Sequence, residues 1–294
     1  MSTANDKVSI IIVTHNSSET IGDCLESLSL ASAKLSGELI VVDNNSHDNS
    51  PSLVRRLRPD AQVIVNRKNI GFAAACNTAV RQARGDYLLF VNPDVQVDLD
   101  APEQLLHSLS ALPAAGAATG RIRFPDGQFQ PTCRQFPTWA NIWSSRGSLL
   151  TRLFGGGSGY TLGDPATGGN SAPVAVPAVA ATLLMIRRKL FNMVGGFDER
   201  FFVFLEDTDL CYRLNGLSCI NYSIPTAGAS HNWGKGSASG RWRRSWYHHR
   251  SIWLYFRKHL PSPATWLLLP GLLIGNLVAT ILLPQSAQGK PLRQ

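Results

Sequence analysis

Along the first third of the chain, apolar and polar residues come in blocks. Val8–Val13 is a short run, apolar but for Ser9, which predicts a strand buried on both faces of a sheet. Ile21, Cys24, Leu25 and Leu28 follow at helical spacing, with Ser17 or Ser18 placed to cap the helix. The alternation then repeats. A strand is predicted over Glu38–Val42, ending at Asp43, a helix near Ser50–Leu57 and a strand over Gln62–Val65. An Ala-rich helix over Gly71–Ala83 and a strand over Tyr87–Val91, ending at Asn92-Pro93-Asp94, complete the series. Strands alternating with helices imply a parallel sheet with helices on both faces. Such sheets bind ligands beyond the carboxyl ends of their strands. Polar residues gather at those ends here: Thr14 to Asn16, Asp43 to Ser46, and Asn92 to Asp94.

The middle of the chain, about Arg121–Pro177, is less regular. Residues 155–173 hold seven Gly and two Pro, which predicts a loop. Val174–Ile186 reads as a strand, and Leu210–Leu214 as helix. Cys219–Ile224 and Ala227–Ser230 read as short strands. No internal repeat is present.

The C-terminal part has a different pattern. Arg241–His259 mixes six Lys/Arg with six aromatics, and no charged residue occurs from Leu260 to Gly289. The apolar heart of that stretch, Ala264–Leu283, is about 20 residues, or roughly 30 Å as a helix, the thickness of a hydrocarbon core. Pro270, Gly271, Gly275 and Asn276 interrupt it. Basic and aromatic residues beside an apolar helix predict a segment that associates with a membrane. The expected division is therefore a catalytic domain over 1–240 and a membrane-associating segment over 241–294.

Composition and charge sharpen this. The 294 residues are 44% hydrophobic and 16% charged, which excludes collagen-like, mucin-like and wholly disordered chains. The five cysteines are odd in number and form no CxxC pair, so neither a disulfide framework nor a zinc knuckle is expected. A reducing, cytosolic compartment fits. The net charge of +8 is uneven: all 20 acidic residues precede Leu210, and ten Lys/Arg follow it. A basic surface there suits phosphate or anionic lipid. The N-terminal MSTANDKVSI lacks the apolar run of a signal peptide, so the expected location is the cytoplasmic face of the plasma membrane.

Two familiar nucleotide motifs fail on residues. A GxGxxG turn would follow the first strand, where Thr14-His15-Asn16-Ser17-Ser18 stands without a glycine. A P-loop would need a glycine at Ala229 and Ser or Thr at Gly236. The densest chemistry is Glu206-Asp207-Thr208-Asp209, behind Phe201, Phe202 and Phe204. Alone, that cluster reads as a helix cap. Asp94 alone reads as a turn residue, and His231 alone as structural.

As an ordered set they read otherwise. Val8–Asn16 (VSIIIVTHN), Val41–Ser46 (VVDNNS), Asn69–Phe72 with Asn77, Asn92–Asp94, Gly195–Asp198 (GGFD), Glu206–Arg213 (EDTDLCYR) and His231–Ser237 (HNWGKGS) succeed one another over about 230 residues. In this the chain resembles the family 2 inverting glycosyltransferases, and within them the rhamnosyltransferase-like branch. The resemblance implies a GT-A-type α/β fold with a mainly parallel central sheet, a nucleotide-sugar donor, and a divalent metal, Mg2+ or Mn2+. Carried over by position, Thr14, Asn16 and Asp43 are nucleotide contacts, and Asn69, Gly71, Phe72 and Asn77 close the nucleotide pocket. Asn92 and Asp94 stand where many members have two aspartates, which leaves Asp94 as one carboxylate for the metal. His231 matches a second metal ligand and Asp207 the catalytic base, with Glu206 and Asp209 as fallback bases shaping the pocket. Arg213 and Lys235 are candidates for phosphate contact or for a plain ion pair.

The branch favours dTDP-rhamnose as donor. With the C-terminal pattern it suggests a polysaccharide or polyprenyl-diphosphate-linked acceptor, and no nucleic-acid partner is expected. Two other readings remain at this point. A sugar-phosphate nucleotidyltransferase would want a Gly-rich basic loop after the first strand, which is absent. A membrane-attached protein that binds nucleotide-sugars without catalysis is opposed by the presence together of Asp94, Asp207 and His231.

Overall fold

The computed structural model describes residues 6–139, 141, 161–232, 241–267 and 269–282. The chain divides into two compact units: 1–136 with 161–238, and 137–160 with 239–294.

In the first unit the alternating blocks become β1 (Lys7–Thr14), α1 (Ile21–Ala31), β2 (Ser36–Asp43), α2 (Ser50–Leu57), β3 (Gln62–Val65), α3 (Phe72–Val80) and β4 (Tyr87–Val91). The turn Asn92–Asp94 leads into β5 (Val95–Val97), α4 (Ala101–Ala111) and β6 (Ala115–Arg123). Short strands β7 (Cys133–Arg134), β8 (Val174–Val176) and β9 (Ala178–Val179) precede β10 (Leu183–Arg187) and α5 (Arg188–Met193). The unit ends with α6 (Glu206–Gly216) and β11 (Ile220–His231). The central sheet runs β3-β2-β1-β4-β10-β6-β11-β5, with β8 also paired to β11. Strands β3, β2, β1, β4, β6 and β11 point one way; β10, β5 and β8 oppose them.

Alternate residues of β1 feed two cores. Val8, Ile10 and Ile12 pack with Leu25 and Leu28 of α1 and Leu105 and Leu109 of α4. Ile11 and Val13 pack with the alanines of α3 and with Leu210 and Leu214 of α6. That is the helix–sheet–helix sandwich implied by fully apolar strands, each buried Ile or Leu stabilising it by about 1.5–3 kcal/mol.

Three sequence expectations change. The N-cap of α1 is Thr20, with no side-chain cap bond, rather than Ser17 or Ser18. Val174–Ile186 is not one strand. Pro177 separates β8 from β9, and β10 follows after a further turn, because proline lacks the N–H a ladder requires. Cys219–Ile224 and Ala227–Ser230, expected as two strands, form the single strand β11. Its register against β6 shifts between Ile224 and Gly228, as in a β-bulge.

In the second unit the described helices are α7 (Arg241–His259), α8 (Pro263–Leu267) and α9 (Leu269–Leu282). Tyr255 and Phe256 of α7 are fully buried, Phe256 edge-on to Trp139. The Arg257 guanidinium lies 4.4 Å from the ring centre of Trp253 and 4.3 Å from that of Trp266. Trp242, Trp246, Leu267, Ile274 and Val278 are exposed. Among the described residues no helix is long and apolar enough to cross a membrane.

Candidate active site

The polar residues at the strand ends form a hydrogen-bonded rim. Parallel pairing sets Thr14 opposite Asp43, and the Thr14 hydroxyl donates to Asp43 Oδ1 at 3.0 Å. Asp43 Oδ2 accepts from the Ser46 N–H at 3.0 Å. Asn16 has a left-handed backbone, and its side-chain oxygen accepts from the His47 N–H at 2.7 Å. It therefore shapes the loop beside Asp43.

The residue that ties this rim together is Asn44, which sequence reasoning passed over. It is buried. Its amide nitrogen donates to Asn69 Oδ1 and to the Gly71 carbonyl; its oxygen accepts from the Ile70 N–H and the Asn66 amide. Asn69 also accepts from the Gly71 N–H. The only available signal was its place beside Asp43 in the DNNS run.

The next contact reaches towards the acidic cluster. Gly71 has φ +89°, and a Cβ there would lie 2.5 Å from the Phe202 carbonyl oxygen. The Phe72 N–H donates to that same oxygen at 2.7 Å. Asn77 clamps Phe197 from both sides, donating to its carbonyl and accepting from its N–H, while the Phe72 ring lies near that of Phe197. The groups called nucleotide-closing in the sequence thus join α3 to the GGFD turn and to the segment before α6.

That segment meets α6 under strain. Phe204 and Leu205 are consecutive non-glycine residues with φ +71° and +62°, a conformation costing about 1–3 kcal/mol each. Asp207 follows in the first helical turn, 6% exposed. Its Oδ1 accepts from the Thr208 N–H and hydroxyl, and its Oδ2 from the Ala181 N–H at 3.2 Å. The Thr182 carbonyl accepts from the Asn92 N–H, so two adjacent residues of the β9–β10 connection link the base candidate to the metal-side turn. Arg134 of β7, also missed by sequence reasoning, stands 3.8 Å from Asp207 Oδ1. No pattern around Cys133-Arg134 announces that. Glu206 is buried, and burial, aided by the neighbouring Asp207 charge, pushes its carboxyl up to about 8. Asp209 is fully buried and ion-paired to Arg213, which also donates to the Val194 carbonyl. Of the two roles open to Arg213, the structure shows the ion pair. Lys235 lies outside the described residues.

The remaining pair meets through β5 and β11. Their antiparallel register sets His231 opposite Val95, one residue beyond Asp94. His231 Nε2 lies 3.2 Å from Asp94 Oδ1, and both side chains are buried. His231 Nδ1 lies 3.1 Å from Gln130 Oε1, which orients the ring. A carboxylate and an imidazole nitrogen set side by side can share a cation or a proton. A divalent ion fits that donor set, with the imidazole oriented from behind by Gln130. Among the described residues no three or more His, Cys, Asp or Glu side chains converge on one point, so the described residues offer two ligands here.

The sequence model described as Glycosyl transferase family 2 matches residues 9–164, more than half of the chain. The chain is a family 2 glycosyltransferase. It moves a sugar from a nucleotide-sugar. The glycosyltransferase is 28% identical over 274 residues to the N-acetylglucosaminyl-diphospho-decaprenol L-rhamnosyltransferase of Mycobacterium tuberculosis, covering 85% of this chain and 84% of that protein. Poly-beta-1,6-N-acetyl-D-glucosamine synthase of Staphylococcus aureus is 31% identical over 118 residues, 40% of this chain and 28% of that one. The GT-A-like fold is shared with a mannosyltransferase from Pyrobaculum calidifontis solved with GDP-Man and Mn2+, at TM-score 0.56 and 17% identity, covering 96% of this chain and 77% of that one. It is shared also with GalNAc-T7 solved with UDP, GalNAc and Mn2+, at TM-score 0.59 and 15% identity. The match covers 86% of this chain and about half, 48%, of GalNAc-T7.

Proposed function

We propose that this glycosyltransferase moves rhamnose from dTDP-rhamnose, with inversion, onto N-acetylglucosamine carried by a polyprenyl diphosphate. The observation that carries the sugar and the acceptor is the similarity along most of both chains to the mycobacterial enzyme, whose name states that transfer.

The chemistry assigned to the side chains is a single displacement. Asp207 takes the proton of the acceptor hydroxyl as that oxygen attacks the anomeric carbon, on the face opposite the departing diphosphate. The Ala181 and Thr208 donors hold its carboxylate in one orientation. Asp94 and His231 would hold Mg2+ or Mn2+, and Gln130 fixes the imidazole that faces it. When bound, that ion neutralises charge on the leaving nucleoside diphosphate. The rim of Thr14, Asp43, Asn44 and Asn69 receives the nucleoside, with lone pairs of Asp43 left to accept from a pyrimidine N–H.

The second unit would keep the enzyme on the cytoplasmic face of the membrane. Support comes from the Lys/Arg of α7, its exposed Trp242 and Trp246, and the exposed apolar residues of α8 and α9. Each basic residue near an anionic surface contributes about 1 kcal/mol, screened by salt, whereas apolar insertion is not screened. High salt alone should leave the full-length protein on membranes, and detergent should release it. Protein found soluble without detergent would end that part of the proposal.

A donor screen tests the rest. Thermal shifts with Mn2+ and each of dTDP, UDP and GDP should single out dTDP. A nucleotide at 100 times its Kd stabilises by about 2.7 kcal/mol. Transfer of labelled rhamnose to a polyprenyl-diphosphate N-acetylglucosamine should follow. A preference for UDP or GDP would move the donor assignment and leave the fold and family untouched.

A further inference from the structure

Two neighbouring carboxyls open α6 in opposite surroundings. Asp207 accepts from three protein donors, the Ala181 N–H and the Thr208 N–H and hydroxyl, and Arg134 stands beside it. Glu206 is 5% exposed. Its Oε2 is sealed from solvent and has no hydrogen-bond partner among the described residues. Resting on the reading of Asp207 as the base, we propose that Glu206 is a positioning residue that works in its neutral form, leaving Asp207 the single anion of the pair and Arg134 that anion's counter-charge.

The argument is one of unequal solvation. A buried carboxylate is stabilised by donors, and a carboxyl without them keeps its proton. Of these two adjacent carboxyls, Glu206 is the one with a buried oxygen that no donor reaches. Glu206 is raised by burial first, then by the charge of Asp207, and more weakly by that of Asp209. Its own backbone N–H and Arg134 oppose the shift without cancelling it, and its carboxyl rises from 4.5 to about 8. From α3, Cys76 faces it. That thiol is itself raised well above its ordinary value by burial and by Glu206, so it adds no charge. The strained Phe204–Leu205 backbone leads directly into this turn, which fixes where Glu206 begins the helix.

The consequence is a dependence on pH that a filler side chain would not give. A second anion beside Asp207 would compete for Arg134 and push on the Ala181 and Thr208 hydrogen bonds. Turnover should therefore fall as pH rises past about 8. Stability follows the same group. Because the folded-state value is raised, the stability that protonated Glu206 contributes is complete below about pH 4.5 and is lost as pH climbs to about 8. Glu206→Gln keeps shape and neutrality, so its advantage over wild type should grow across that window and level off above it.

The experiment compares wild type, Glu206→Gln, Glu206→Ala and Asp207→Asn as full-length proteins. Urea unfolding from pH 4.5 to 9 should show the Gln-to-wild-type ratio of folding constants rising by up to about tenfold per pH unit until about 8. Rate–pH profiles should show that Gln recovers most of the turnover Ala loses and lacks the fall above pH 8. Parallel stability curves, or a Gln variant as impaired as Ala with the alkaline fall intact, would overturn the proposal. If Gln does not fold, infrared spectra of wild type decide. A protonated-carboxyl band present at pH 7 and gone above 8 is expected, and its absence at pH 7 is fatal. Full turnover in Asp207→Asn would instead remove the base assignment, while the stability curves still report the charge state of Glu206.

Discussion

Around Thr14, Asp43, Asn44 and Asn69, the named polar side chains have partners inside the protein, and Asn44 alone makes four such hydrogen bonds. Across the same sheet edge, an Asp94 carboxylate oxygen and a His231 nitrogen lie 3.2 Å apart, and Glu206 keeps a buried oxygen unmatched. The first region is built before ligand arrives. The second holds a carboxylate–imidazole pair, a buried unmatched oxygen and a strained backbone turn. Rigid hydrogen-bonded loops suit a nucleoside, which needs shape. A carboxylate beside an imidazole suits a cation, which needs charge.

Substitutions should separate the two regions by what they damage. The largest effect belongs to Asp207→Asn, which preserves shape and removes basicity. Turnover should drop by about 10²–10⁴ while donor affinity survives. Near wild-type turnover in that variant would shift the base to another carboxyl. Next come Asp94→Ala and His231→Ala, which should share one phenotype, weakened Mn2+-dependent donor binding, although they lie far apart in the chain. Gln130→Ala should resemble them at about 10–100-fold in metal affinity, because it frees the imidazole to turn. Equal metal titrations for wild type and His231→Ala would break the ligand assignment.

On the nucleotide side the expected damage is to stability. Asn44→Ala leaves buried groups of the 66–71 segment unpaired and should cost about 1–3 kcal/mol in urea unfolding. Gly71→Ala forces a Cβ against the Phe202 carbonyl at a left-handed φ and should cost a similar amount, with a lowered Tm. If either variant keeps wild-type stability and loses only turnover, the contrast between the regions is drawn wrongly. The smallest effect is at Asp48, held down to about 2 by hydrogen bonds from Ser50 and Ser18 that outweigh its desolvation. Its folded-state value is lowered, so its contribution is present above about pH 3.8 and lost as pH falls to about 2. Asp48→Asn should flatten that acid limb of the stability curve slightly.

Much of this molecule was legible in one dimension. Val8–Val13 and Tyr87–Val91 announce buried strands because each is an apolar run, broken only by Ser9, bounded by polar residues. The ordered motifs announced the family because their residue types and sequence are specific together. The break at Pro177 and the shift near Gly228 were not legible, since a ladder's register depends on strands that are distant in the chain. Neither were Arg134, Gln130 and Ala181. Each belongs to an unremarkable stretch, and each acquires its role only when β7, β9 and β10 bring it against α6 or β11. Local pattern determined which segments would be strands and helices, because burial and periodicity act over a few residues. Which carboxyl keeps its proton, and which histidine nitrogen faces Asp94, the tertiary structure alone decided, because solvation and hydrogen bonding depend on what the fold packs around each group.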